Sequence, residues 1–117
     1  MIDKERILKI SELNNTKISQ LDEKEMAKYT KDIDSFIDNF PPLEDKVKDA
    51  LRANDIENLK NQLIAVSDML RPVYADKIAG TIRPDKLNNS SPEDLQTFVI
   101  ELLKSVCSLS IDLQMAR

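Results

Sequence analysis

The chain has 117 residues, of which 41% are hydrophobic and 32% charged, and its formal net charge is −4. This is the composition of one globular domain, which excludes a disordered or membrane-spanning chain. The absence of His excludes Ser-His-Asp triads, His-ligated metal sites and phosphohistidine, and a single Gly excludes glycine-rich phosphate loops.

Charge and composition also restrict the partners and the compartment. The acidic net charge and the 4% aromatic content disfavour nucleic-acid binding. No apolar run approaches the roughly 18 residues of a membrane span, and the charged residues 1–6 are unlike a signal peptide. The lone Cys107 cannot form an intramolecular disulfide, which fits a reducing compartment. We therefore expect a cytoplasmic protein that binds neither nucleic acid nor membrane.

Apolar residues at helical spacing predict helices in the first half of the chain. The first helix covers about Ile2–Leu13, and the second covers about Asp22–Phe40. Pro41-Pro42 then predicts a kink or a restart of the helix, because proline lacks a backbone donor but suits a first turn. An apolar stripe continues over residues 43–51 as a third segment.

The second half of the chain is predicted to hold a fourth helix and a shorter one. Asn54 and Glu57 form the pattern of a capping box, which predicts Asn54 as the N-cap of the fourth helix. Pro72 is predicted to end or bend this helix. A shorter helix is predicted over residues 75–82.

The remaining segments complete an all-α prediction. Polar residues over Arg83–Ser90 predict a loop, and Ser91-Pro92 predicts the cap and first turn of the last helix. Together the segments predict an antiparallel four-helix bundle over residues 21–117, preceded by an additional N-terminal helical segment over residues 1–20.

Nothing in the sequence points to a catalytic or metal centre. Acidic pairs such as Glu23 with Glu25 and Asp32 with Asp34 are typical of solvated helix faces, and a di-iron bundle would need Glu-x-x-His motifs. Cys107 lies beside the apolar stripe of the last helix with no His to activate it, which indicates a small buried thiol. We predict no cofactor, no metal and no enzymatic activity.

The fourth segment carries an unusual solvent-side stripe. Its polar run is interrupted only by Ile64, and a single exposed aliphatic side chain is common in proteins. Ile64 therefore either extends the core or forms an apolar centre on a polar face. The stripe comprises Glu57, Lys60, Asn61, Ile64, Ser67, Asp68 and Arg71.

The stretch Asp55–Ala79 resembles the central segment of histidine-containing phosphotransfer (HPt) domains. In that family an acidic residue leads into a helix with a His-x-Leu-Lys core, followed by a Gly-Ala-x-x-Leu-Ala start of the next helix. The resemblance extends over about Asp22–Leu113. Matching core positions are Leu59, Leu63, Val66, Ala75, Ile78 and Ala79.

The chemical residues of the family motif are replaced in this chain. Ile64 stands at the position of the phospho-accepting His, Ser67 at that of the Lys, Asp68 at that of the small residue, and Tyr74 at that of the Gly. The resemblance implies a degenerate HPt domain that cannot relay phosphate but keeps a docking surface for a receiver or histidine kinase domain. This surface would comprise Lys60, Asn61, Ile64, Ser67, Asp68 and Arg71.

Three functions from different classes follow. The first is a non-catalytic signalling adaptor that binds its partner through Ile64. The second is a self-associating structural bundle of unrelated function, with a homodimer formed through Ile7, Leu8 and Ile10 of the N-terminal segment. The third, an enzyme that uses acidic residues alone, ranks last because no pocket with paired carboxylates can be named.

Overall fold

The computed structural model describes residues 3–117, and over this range every element is helical and none is a strand. The predicted all-α fold is confirmed. Three long helices, α3, α4 and α7, are accompanied by short ones, and a 3₁₀ turn follows α4. The bounds are α1 Lys4–Leu8, α2 Asn15–Ser19, α3 Glu23–Arg52, α4 Ile56–Leu70, the 3₁₀ turn Arg71–Val73, α5 Asp76–Ala79, α6 Pro84–Asn89 and α7 Pro92–Ala116.

Helix α3 begins with a capping box and runs through the proline pair. The Asp22 carboxylate accepts a hydrogen bond from the Glu25 backbone N–H at 2.8 Å, and the Glu25 carboxylate accepts one from the Asp22 N–H at 3.2 Å. Of the two alternatives predicted at Pro41-Pro42, a kink or a restart of the helix, the restart is wrong, because α3 continues through the pair over 30 residues. Phe40 and Leu43 on either side of the pair are both buried in one core. Packing of this apolar stripe thus outweighs the two missing backbone donors.

The α3–α4 junction is a tight turn centred on Asn54. Asn54 has a left-handed backbone with φ 54°, its N–H donates to the Leu51 carbonyl at 3.2 Å, and the Asp55 N–H donates to the Ala50 carbonyl at 3.0 Å. This is a Schellman ending of α3, with Asn in the place that glycine usually takes. The N-cap of α4 is Asp55, so the predicted cap at Asn54 is wrong by one residue.

The segment between α4 and α7 contains more helix than its polar composition indicates. Residues 84–89, predicted as a loop, form α6 with Pro84 in its first turn and Leu87 buried. The Lys86 ammonium lies 5.2 Å from the centre of the Phe98 ring, a cation–π contact that links α6 to α7. The helix predicted over residues 75–82 is shorter, Asp76–Ala79. The predicted cap of α7 at Ser91 is confirmed.

The N-terminal segment folds as two short helices against the rest of the chain. Four of its apolar residues belong to the same buried cluster as α3, α4 and α7: Ile7, Ile10, Leu13 and Ile18. The Asp3 N–H donates to the Ala116 carbonyl at 2.8 Å, and the Arg6 guanidinium donates to the Met115 carbonyl at 2.8 Å. We call these two hydrogen bonds the N-terminal clasp.

Burial of this segment changes one expectation about self-association. Ile7 and Ile10 are buried in the core of the protein itself, so they do not form the exposed contact stripe predicted for a dimer. The predicted helix over Ile2–Leu13 is interrupted after Leu8, and its first residue, Ile2, lies outside the described residues. A boundary between residues 20 and 21 stays a prediction.

Two further properties concern the part of the chain that the structure describes. No helix there combines the length and the apolar character needed to cross a lipid bilayer. Within residues 3–117, no three Cys, Asp or Glu side chains converge on a point where a metal ion would be held.

Candidate protein-binding surface

Helix α4 has one side in the core and one side in solvent. Leu59, Leu63, Val66 and Leu70 are fully buried, at the three- and four-residue spacing that places them on one face. Ile64 points away from this face and remains 39% exposed. The structure thus resolves the alternative left open by the sequence, because Ile64 lies on the surface.

The C-terminal end of α4 is fixed to α3 by two tyrosines. The Tyr29 hydroxyl donates a 2.7 Å hydrogen bond to the Val73 carbonyl, and the Tyr29 and Tyr74 rings stack with centroids 5.2 Å apart. Burial raises the pKa of Tyr29 well above its usual value, and Tyr74 and Asp32 add to this shift. Tyr74 has φ 61°, a left-handed conformation. Tyr74 therefore holds a backbone conformation that favours glycine.

The structure keeps most of the predicted site residues on the surface. Asn61, Ile64, Asp68 and Arg71 are exposed and Lys60 is half-buried. Ser67 is only 4% exposed, so its assignment to the solvent face is wrong. Ser67 follows buried Leu63 by four residues and precedes buried Leu70 by three, which puts it at the edge of the buried stripe. We call the remaining five residues, Lys60, Asn61, Ile64, Asp68 and Arg71, the Ile64 surface.

Two basic residues lie in line with Ile64, Lys60 on α4 and Arg71 at the start of the 3₁₀ turn that follows it. Lys60 is one turn before Ile64 and Arg71 two turns after it, on the same side of the helix. Neither Lys60 nor Arg71 forms an ion pair with any described residue. Their charges are therefore free to meet carboxylates of a partner on either side of an apolar contact at Ile64.

A groove of about 320 Å³ runs beside the Ile64 surface, between α3 and α4. Asp68 lines it from α4, and Asp32, Ser35 and Asn39 line it from α3. Sequence analysis named Asp32 only as part of a solvated acidic pair and assigned none of these three α3 residues to a site. Their three- and four-residue spacing along the border of the buried stripe is the signal that would have found them. The groove thus places two carboxylates, those of Asp32 and Asp68, beside the two basic residues, and the rest of its lining is largely apolar.

Three large apolar side chains on α7 are also exposed, and sequence analysis did not identify them. Ile100, Ile111 and Met115 are 49%, 57% and 64% exposed. Their exposure was predictable from the sequence, because these positions do not share the helical spacing of the buried residues of α7.

Cys107 is half-buried at the contact between α3 and α7. Its thiol donates a hydrogen bond to the Glu44 carboxylate at 2.6 Å. Burial raises the pKa of the Cys107 thiol to about 11, and the hydrogen bond and negative charge of Glu44 act in the same direction. The thiolate, which is the nucleophilic form, is therefore scarce at neutral pH.

Comparisons with known proteins do not assign the chain to a family. No protein-family model, curated protein or solved structure matches it. The HPt resemblance consequently stays a prediction that rests on the residues of Asp55–Ala79 and on the helix pattern around them.

Proposed function

We propose that this protein is a non-catalytic adaptor that docks a partner protein through the Ile64 surface. The observation that carries the proposal is the exposure of Ile64 between two basic side chains that have no acidic partner among the described residues. An apolar side chain in such a setting supplies binding energy, and the charges around it supply orientation and selectivity.

The chemistry of the surface describes the partner. The partner is expected to have an apolar pocket that receives Ile64, with carboxylates on both sides of the pocket that face Lys60 and Arg71. The resemblance to HPt domains suggests a response-regulator receiver or a histidine kinase domain. Since Ile64 stands at the position of the phospho-accepting His, docking proceeds without phosphate transfer to this chain.

The same proposal includes the finer architecture and the compartment. In an HPt-like arrangement α3, α4 and α7 supply three helices of the bundle, and the short helices between α4 and α7 take the place of the fourth. A cytoplasmic location agrees with the single cysteine and is where receiver and kinase domains act.

The expected contribution of Ile64 is modest. Fully burying an isoleucine side chain is worth about 1.5–3 kcal/mol, and only the exposed fraction is available for docking. About 1 kcal/mol, or a five-fold change in affinity, is then assignable to this side chain. Lys60, Arg71 and Asp68 must supply the selectivity between related partners.

The test is a titration of the isotope-labelled full chain, followed by amide spectra. The probes are receiver domains of the source organism, each unphosphorylated and activated, and the dimerisation domains of its histidine kinases. We expect shifts clustered on residues 57–71, and weaker binding by Ile64→Lys. Ile111→Lys, which places the same charge on another exposed isoleucine, is the matched control and should bind normally.

Two outcomes contradict the proposal. One is the absence of shifts with every probe. The other is a cluster of shifts away from α4 that Ile64→Lys leaves unchanged. Ile64→Ser, which adds no charge, is a second variant that should also weaken binding. Circular dichroism verifies that each variant is still helical, so that weaker binding is not a result of unfolding.

A further inference from the structure

Helix α7 carries a second apolar line on its solvent side. Ile100 and Ile111 are eleven residues apart, three turns of an α-helix, and Met115 is one turn further. The three residues therefore lie on one side of the helix, opposite buried residues such as Val106 and Leu109. With Ile64, they are the only large apolar side chains that are exposed among residues 3–117.

The exposed residues of α7 can pair with the same residues of a second, antiparallel copy of α7. Ile100 and Met115 are equally far from the point between residues 107 and 108, and so are Lys104 and Ile111. In an antiparallel pair of α7 helices related by a two-fold axis at this point, Ile100 of each copy meets Met115 of the other. The aliphatic stem of Lys104 then covers Ile111.

The charges on α7 select the same arrangement. Lys104, which is exposed, and Asp112, which is half-buried beside Arg6 and Lys9, are placed on opposite sides of residue 108, and neither forms an ion pair within the described residues. An antiparallel second copy brings each Lys104 near an Asp112, twice by symmetry, whereas a parallel copy would bring lysine near lysine. Near the centre the small, exposed side chain of Ser108 allows the two helices to approach closely.

We infer that the solvent side of α7 binds a second copy of this chain, antiparallel and about a two-fold axis, to form a homodimer. This interface uses residues of α7 and none of the Ile64 surface on α4, so it stands or falls independently of the proposed docking function. The apolar side chains Ile100, Ile111 and Met115 supply the buried area, and Lys104 with Asp112 fixes the register.

The oligomeric state of the full chain tests this inference. We expect sedimentation equilibrium over a wide concentration range to give a dimer that dissociates on dilution. Ile111→Lys should leave a monomer with unchanged helical content, whereas Ile64→Lys, the matched control on α4, should leave the dimer intact. A wild-type chain that stays monomeric at every concentration overturns the inference, as does dissociation by Ile64→Lys alone.

A charge reversal tests the antiparallel register separately. Lys104→Glu should weaken dimerisation about tenfold, because two attractive contacts become repulsive. The double variant Lys104→Glu with Asp112→Lys restores opposite charges across the interface and should recover most of this loss. A double variant as weak as Lys104→Glu, or weaker, contradicts the proposed register, and so does dimerisation that Lys104→Glu does not affect.

Discussion

The hydroxyl of Tyr29 and the carbonyl of Val73, 44 residues apart in sequence, are joined by a buried hydrogen bond of 2.7 Å. Tyr29 belongs to the second turn of α3, and Val73 ends the 3₁₀ turn that follows α4. The bond therefore fixes the position at which the chain leaves α4. Arg71, in the same turn, is held in place with it.

Replacing Tyr29 by Phe should destabilise the protein by about 1–3 kcal/mol, because the buried Val73 carbonyl loses its partner. Tyr74→Phe is the matched control, since its hydroxyl makes no hydrogen bond with the described residues and its ring can still stack. Urea denaturation measures both variants. Equal losses would show that the hydrogen bond contributes little.

The same tyrosine predicts a loss of stability at alkaline pH. The pKa of Tyr29 is raised in the folded protein above its ordinary value of 10.0, chiefly by burial. The folded state therefore holds this proton more tightly than the unfolded state, and its contribution is complete below about pH 10 and lost at higher pH. Denaturation at pH 9 and pH 11 should show a larger loss for the wild type than for Tyr29→Phe. An identical loss in both would contradict this assignment.

Two adjacent residues of α4 should respond very differently to truncation. Leu63 is fully buried, so Leu63→Ala should cost about 2–5 kcal/mol through lost burial and a cavity. Ile64→Ala removes a side chain that is 39% exposed and should cost less than about 1.5 kcal/mol. Thermal and urea denaturation compare the two. Comparable costs would place Ile64 in the core and remove it from the docking surface.

The α3–α4 junction offers a test of its backbone geometry. Asn54→Gly should be neutral or stabilise the protein by up to about 1 kcal/mol, because glycine adopts a positive φ more readily. Asp55→Ala should cost about 1 kcal/mol, because the Asn58 N–H loses its cap. Chemical denaturation of both variants checks the pair. If Asn54→Gly destabilised the protein and Asp55→Ala did not, Asn54 and not Asp55 would be the N-cap of α4.

Cys107 should react slowly with thiol reagents, and its two charged neighbours should change the rate in opposite directions. Glu44→Gln removes a negative charge that raises the pKa of the thiol, so the reaction at pH 8 should accelerate. Lys48→Gln removes a positive charge that lowers this pKa, so the reaction should slow. The rate of reaction with a chromogenic disulfide measures both. Acceleration in both variants would indicate a general opening of the site instead.

Periodicity alone predicted the elements whose stability comes from one long apolar stripe. The stripes of α3, α4 and α7 are visible in the sequence because their buried residues recur every three or four positions. Ser67 was misplaced because a residue at the border of such a stripe is assigned by its polarity, whereas neighbouring side chains decide its burial. Helix α6 was missed because a single buried residue, Leu87, has no period.

Other features depend on contacts that periodicity does not contain. Pro41-Pro42 usually interrupts a helix, and only the packing of Phe40 and Leu43 into one core keeps α3 continuous. The hydrogen bond between Cys107 and Glu44 likewise joins residues that are far apart in sequence. The sequence left open whether Ile64 belongs to the core or to the surface, so both its exposure and the α3 side of the adjoining groove required the structure.

The N-terminal clasp has a consequence for the order in which the protein assembles. It joins Asp3 to Ala116 and Arg6 to Met115, so nearly the whole chain must be closed into a loop before it forms. Helices α3 and α4 are separated by only three residues and can pair at a far smaller entropic cost. We therefore expect the α3–α4 hairpin to form early in folding and the clasp to close last. We expect the clasp also to open first in the native protein, so that hydrogen exchange should be faster at the backbone amides of residues 3–8 than at those of the core.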